Sequence, residues 1–381
     1  MTATGVLGTA GARRGRERAR VVVLGGGYGG QLAAQALARR TDAAVTLVND
    51  GDRFVQRIRL HELASGRPVE APRFADLLAG TGVAFVDDRV VDLDLAARKV
   101  QLRDGAPLDY DVLVHALGSH TAVPEHAHDV STPDGAARLA VRLADDGVRR
   151  VAVVGAGLTG IETATELAET HPGLTTTLVT SGSLDDDLSP RGASHVRRAT
   201  ARLGIRLVEH APVAAVHPDG LTLADGLDEP ADAVVWTAGF AVDDLAARGG
   251  LAVDADGRIL VDAALRSTSH PDVLAVGDAA APVAASGDVV RMACATAVPA
   301  AQHAARTVAA VLAGREPRPW RFRYAIRCVS LGRRDGLVQV VHTDDRPRDL
   351  VLTGRAAARV KEAIVVNALR VQTHPRVPTS A

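Results

Sequence analysis

Two short stretches of this chain are spaced for chemistry on a diphosphate: Gly25-Gly26-Gly27-Tyr28-Gly29-Gly30 and Gly155-Ala156-Gly157-Leu158-Thr159-Gly160. Both have the form G-x-G-x-x-G. In that spacing the first glycine (Gly25, Gly155) makes a tight turn and the second (Gly27, Gly157) lets backbone approach a pyrophosphate. The third (Gly30, Gly160) lets a helix pack closely on a strand. The helix that follows offers unpaired N–H groups and a partial positive charge to the phosphates. One such match is weak, because glycine-rich turns also join strands to helices for purely structural reasons. Two copies in the same local context point to two bound dinucleotides.

Each turn must be positioned by a strand before it and a helix after it, and the hydrophobic pattern supplies both. An apolar, β-branched run at 21–24 leads into the first turn, a helical pattern over 31–40 leaves it, and a second buried-type strand follows at 45–48. The second copy repeats this at 151–154, 161–170 and 176–179. These are two βαβ units, which build parallel sheets. Further strands are expected at 84–86, 112–115, 206–208, 233–236 and 273–276. A helix is expected over 298–312 with Pro299 in its first turn. Beyond the loop at 314–319, strand-like pieces near 326–331 and 337–341 and a helix near 356–369 form a smaller module. The expected class is α/β: two Rossmann-like dinucleotide-binding domains of the three-layer ββα type, plus a small C-terminal α+β region.

Composition narrows the partners. At 381 residues the chain exceeds one hydrophobic core, and 47% hydrophobic with 23% charged residues is ordinary for a globular enzyme. A net charge of -1 gives no overall field for nucleic acid or an anionic bilayer. The two cysteines, Cys294 and Cys328, belong to no C-x-x-C pair, so neither a disulfide scaffold nor a metal site is expected. Residues 1–19 carry arginines without the apolar stretch of a secretory signal and read as a disordered leader of a cytoplasmic protein.

An acidic residue commonly follows the glycine motif by roughly 20 residues and binds the adenosine ribose. Here the first copy offers Asn49 and Asp50, and the second Thr180 and Ser181. Asn49 can still hydrogen-bond a hydroxyl, with Asp50 beside it. Absence of a carboxylate in the second copy removes repulsion against a 2′-phosphate, and Arg191 or Arg197 would suit NADPH. The same residues as plain turn formers suit NADH, so both coenzymes stay open.

In their order, these landmarks resemble the two-domain flavoproteins of the pyridine nucleotide-disulfide oxidoreductase superfamily, and the type II NADH dehydrogenase-like branch above all. The resemblance runs from about residue 20 to 334. It rests on the two glycine turns, Leu117-Gly118-Ser119, Trp236-Thr237-Ala238-Gly239 and Val276-Gly277-Asp278-Ala279. It implies an FAD domain from 20–118 and 241–313, a NAD(P)H domain at 119–240 and a C-terminal region at 314–381. FAD would then meet Gly25, Gly27, Gly30, Asn49, Asp50, Val90, Gly118, Gly277 and Asp278, the last on the flavin ribitol. NAD(P)H would meet Gly155, Gly157, Gly160, Glu162, Thr180, Ser181 and Gly239. The family's Ala-Gln beside the flavin ring matches Ala301-Gln302, at a helix start whose dipole would stabilise charge on the reduced ring.

Where the family has a proline- and leucine-rich loop, this chain has Phe54-Val55-Gln56-Arg57-Ile58-Arg59-Leu60-His61-Glu62-Leu63. One reading is a helix face of ion pairs. The other puts Arg57 or Arg59 on FAD and turns His61 to substrate, with His61 and Gln302 as the catalytic candidates near the flavin. Hydride transfer from nicotinamide to flavin N5 needs no protein nucleophile, so the lack of a triad or metal cluster is expected. No cysteine precedes Cys294, which removes a redox disulfide by the flavin. The expected function is FAD-dependent NAD(P)H:acceptor oxidoreduction, with a quinone or another small molecule as acceptor. A ferredoxin reductase, whose flavin edge would be rimmed by Arg321, Arg323, Arg327, Arg333 and Arg334, and a flavin-dependent biosynthetic oxidase or dehydrogenase are the alternatives, beside a non-enzymatic flavoprotein. The C-terminal helix has basic but no aromatic residues, so membrane contact would be weak and peripheral at most; homodimer formation stays open.

Overall fold

The computed structural model describes residues 18–284 and 287–373. The leader expected at 1–19 therefore lies, for residues 1–17, outside the described residues. Arg20–Leu24 is the central strand of a five-stranded parallel sheet ordered Val273–Ala275, Val112–His115, Arg20–Leu24, Ala44–Asn49, Ala84–Asp87. A second parallel sheet runs Arg206–Val208, Thr175–Val179, Arg150–Val154, Ala233–Trp236, Ala127–Asp129. The central strands are buried on both faces, which is why they read as continuous apolar runs rather than alternating ones.

Each sheet is sandwiched. Helices Tyr28–Arg40 and Leu158–Thr170 cover one face of their sheets, and a three-stranded antiparallel meander covers the other. In the first unit Leu93, Val100 and Leu102 of the meander pack on Val22, Leu24 and Leu113. In the second, Leu221 and Leu223 pack on Ala152 and Val154. The three-layer arrangement expected from the motif order is thus the observed one. The outer strands of the meanders, Val90–Asp94, Leu108–Asp109, Val213–His217 and Asp228–Pro230, are short and largely solvent-facing, with little apolar alternation to betray them.

Three helix starts differ from expectation. Tyr28–Arg40 and Leu158–Thr170 begin directly after Gly27 and Gly157, so the third glycine of each motif lies inside the first turn. The late helix spans Cys294–Leu312 rather than beginning at 298, and Pro299 stands inside it. The Thr296 hydroxyl donates to the Ala293 and Arg291 carbonyls (2.7 and 3.1 Å) and secures a turn before the proline. Proline removes one hydrogen bond that the chain tolerates here, because Ala300, Ala301, Ala304, Ala305 and Val308 are buried against Leu32, Ala33, Ala36 and Leu37. Small alanines let the two helices approach.

The C-terminal module is an antiparallel sheet of Ile326–Ser330, Gly336–Val341 and Pro347–Thr353, followed by helix Gly354–Thr373. Val329, Leu331 and Leu337 join the core of the second unit, while Val371 joins that of the first. The module is therefore a bridge between the two sheets.

Candidate active site

The two glycine turns have nearly the same backbone. Gly25 has φ +92° and Gly155 φ +102°, a region that side-chain-bearing residues rarely adopt. A Cβ on Gly30 would lie 1.8 Å from the Gly25 carbonyl oxygen, and one on Gly160 1.7 Å from that of Gly155. Only glycine permits this approach. The middle glycines differ in kind: a Cβ on Gly27 or Gly157 would meet nothing within 4 Å. Each N-caps its helix with no side chain satisfying the first-turn N–H groups. Uncapped helix starts over open space fit a diphosphate in both units.

Around the first turn the fold assembles residues distant in sequence. Asp278 follows Gly277 (φ +72°), and its Oδ2 accepts from the Ser119 hydroxyl at 2.7 Å. Arg57 Nη1 donates to the Ser119 carbonyl at 2.6 Å and lies 3.6 Å from Asp278 Oδ2, with its guanidinium over the Phe240 ring. Arg57 Nη2 is buried without a partner. A buried donor left open beside a carboxylate, a serine and Gly118 (φ +75°) fits a polar ligand edge such as a flavin's. Ala297 packs on Gly29 and Gly277. It is this first turn of the Cys294–Leu312 helix that meets the glycines, while Ala301 is fully buried among helices and Gln302 lies further along. Asn49 turns inward: its Oδ1 accepts from the Gly26 N–H at 2.7 Å and its Nδ2 donates to Asp50 and Gly51 carbonyls. Asp50 is exposed between Arg89 and Arg103, beside the meander strand that Val90 begins.

The 57–67 segment splits in role. Arg59 turns away from Asp278 and pairs with Glu62 at 2.7 Å and with Glu362 of the C-terminal helix. Burial pushes the His61 imidazole below its ordinary range, against the opposing pull of Glu162, Glu62 and Glu166, so it is neutral at pH 7; its Nε2 has no partner. Glu162 does not open onto the second turn. Its Oε1 accepts from the Ser330 N–H (3.0 Å) and lies 2.9 Å from Lys361 Nζ. Burial alone would raise the Glu162 carboxyl, but Lys361 and the Ser330 N–H hold it below its usual range; Glu162 in turn raises Lys361 despite burial. One turn on, the fully buried Glu166 takes Arg67 at 2.5 Å. Glu62 takes Arg333 at 2.8 Å. This network joins all three parts of the molecule, and a cavity of ≈ 280 Å³ opens onto it, lined by Ser330, Gly332, Arg333, Ala358, Lys361 and Glu362.

At the second strand end the Thr180 N–H and carbonyl are held by Val208 and Ala211 backbone, while Ser181 is exposed. Gly239 (φ +74°) faces open space. Arg191 pairs with Asp349, and Arg197 with Glu209 and Asp185. Glu166 and Glu209 went unmarked in the sequence, as did the ion-pair roles of Arg333 and Lys361. The first has a signal, since Glu162 and Glu166 lie one helical turn apart on a buried face. The others have none, because their partners come from remote segments.

Residues 19–307 match the pyridine nucleotide-disulphide oxidoreductase family. The chain belongs to this family. It is 32% identical over 378 residues to an NADH dehydrogenase-like protein of Mycobacterium tuberculosis, covering 91% of this chain and 92% of that one. It is 29% identical to the demethylphylloquinone reductase of Synechocystis, over 84% and 86% of the two chains. The sulfide:quinone oxidoreductase of Aquifex aeolicus shares its fold, with TM-score 0.81, 20% identity, and 95% and 93% coverage. As a family member it is an oxidoreductase of the NADH dehydrogenase-like branch with FAD and a nicotinamide nucleotide as cofactors. Cys294 and Cys328 are both free, and no cysteine precedes Cys294. Among the described residues there is no metal-ligating cluster, and no helix is long and apolar enough to cross a membrane.

Proposed function

We propose that this oxidoreductase takes electrons from a nicotinamide coenzyme and delivers them, two at a time, to a small acceptor of the quinone class. When bound, FAD supplies the electron exchange between the two substrates. The protein's share is binding, orientation and charge. Gly25, Gly27 and Gly30 would seat the FAD diphosphate, and Arg57, Ser119 and Asp278 would fix the polar edge of the flavin portion. Gly155, Gly157 and Gly160 would seat the coenzyme. Lys361 holds its proton at Nζ, at the wall of the cavity, where a positive charge would meet an acceptor gaining negative charge. The observation that carries the reading is the duplicated uncapped helix start over an open glycine.

Quinone-class acceptors are favoured by the relative acting on demethylphylloquinone. A ferredoxin partner would need a free cationic rim, and two of the five candidate arginines are already committed. Arg327 is tied to Asp345 and Asp187, and Arg333 to Glu62. The test is anaerobic titration of the purified protein with NADH and with NADPH, followed by a water-soluble naphthoquinone or a ferredoxin. The expected outcome is loss of flavin absorbance with about one equivalent of coenzyme and its recovery on adding the quinone alone. A flavin-loaded protein that neither coenzyme reduces would refute the proposal.

A further inference from the structure

The end of the second strand in the coenzyme unit lacks the carboxylate that reads an adenosine ribose, having Thr180 and Ser181 there instead. A carboxylate reaches the same place from the neighbouring strand. Glu209 follows Arg206–Val208, and its Oε1 accepts from the Ser183 hydroxyl at 2.8 Å and the Leu184 N–H at 2.7 Å, directly beyond Thr180–Gly182. Arg197 forks onto this carboxylate, Nη2 to Oε1 at 2.7 Å and Nε to Oε2 at 3.1 Å. The same Nη2 donates to Asp185 Oδ2 at 2.7 Å and to the Ser183 hydroxyl at 3.2 Å. One guanidinium is thus shared by two carboxylates and the cluster keeps a net negative charge. Hydrogen bonding from Arg197 holds the Glu209 carboxyl down to about 2, so it stays ionised across the working pH range.

We infer that Glu209 is the specificity-determining residue for the coenzyme: by occupying Arg197 together with Asp185, it makes the protein select a free 2′-hydroxyl, as in NADH, over a 2′-phosphate. This rests on the second glycine turn being the coenzyme site. Arg197 is the kind of forked donor that would bind a 2′-phosphate bidentately, and here its fork is filled. A dianionic phosphate entering beside it would face two fixed carboxylates, whereas ribose hydroxyls can donate to them. The sequence shows the arginine but not that it is taken.

Calorimetric titration of the purified flavoprotein with NAD⁺ and NADP⁺ tests this without turnover. The wild type should bind NAD⁺ at least about tenfold more tightly. Glu209→Gln keeps an acceptor for the Leu184 N–H while removing the charge, and should tighten NADP⁺ by about tenfold with NAD⁺ little changed. Asp185→Asn, which leaves the Glu209 contacts intact, should move the ratio the same way by less. Adding Arg197→Ala to Glu209→Gln should abolish the gain. Equal wild-type affinities, or an unchanged ratio in both folded single variants, would overturn the assignment. Binding of neither nucleotide at millimolar concentration would instead remove the coenzyme site itself, and this inference with it.

Discussion

Helices Tyr28–Arg40 and Leu158–Thr170 leave matching glycine turns, yet bury opposite kinds of side chain. The first hides amides: Gln31 and Gln35 donate to the Gln372 carbonyl, and Gln372 donates back to Tyr28. The second hides acids, Glu162 and Glu166, answered by Lys361, Arg67 and Arg333. In both cases the C-terminal module supplies partners, joined in the second by Arg67 of the first unit. The glycines therefore settle where a diphosphate can lie, while the module settles what charge each helix presents. A neutral seam suits a tightly held cofactor; a charged seam places an ammonium, Lys361, at a cavity where electrons would leave.

The sharpest way to break this symmetry is to block one turn at a time. Gly30→Val should yield colourless or poorly folded protein, because its Cβ would collide with the Gly25 carbonyl. Gly157→Val, whose Cβ meets nothing within 4 Å but fills the open space over the second turn, should keep its flavin absorbance but lose reduction by coenzyme. If both variants lose FAD equally, the division of labour between the turns is wrong.

Next in size is the charged seam. Lys361→Met leaves Glu162 buried without its counter-ion, a change that costs about 3–5 kcal/mol and should appear as a large drop in melting temperature. Glu162→Gln added to it should recover most of the loss, since no buried charge then lacks a partner. Failure of the second substitution to rescue would show that Lys361 stabilises by packing alone.

A smaller effect sharpens the contrast from the first sheet. His115, at the end of its strand, is buried with both ring nitrogens unpartnered, and burial pushes its pKa from 6.5 down to about 4, despite the opposing Asp243. Its folded pKa lies below the unfolded one, so its contribution is whole above pH 6.5 and is lost as pH falls through about 4. That loss amounts to about 3 kcal/mol. His115→Leu should flatten the stability profile across this window in chemical unfolding, and an unchanged profile would show that the ring finds a partner in solution.

Much of the scaffold was legible because its signals are local. The runs at 21–24 and 151–154 and the glycine spacing fix strand, turn and helix within a few residues. The meanders escaped notice because strands such as Val213–His217 are mostly solvent-facing, and Pro347–Thr353 begins with a residue that argues against a strand. The late helix starts earlier than its pattern suggests because Pro299, a typical first-turn residue, stands inside it. At the site, Gly118 and Asp278 could be named from their motifs. The inward turn of Asn49 could not, because its partner Gly26 N–H is a backbone group.

The sequence by itself determined the two turns, since a glycine forced by φ and by a 1.8 Å approach leaves no other residue type. It also determined the absence of a cysteine pair before Cys294 and the parallel order of the strands around each turn. Only the tertiary structure decided what the charged residues do. Arg57 and Arg59 are two positions apart, yet one meets Asp278 and the other Glu362. Arg197 looked free until Glu209 was brought beside it. An ionisable side chain takes its role from whichever opposite charge or open space lies within a few ångströms, and that distance is set by chain crossings that no local pattern records.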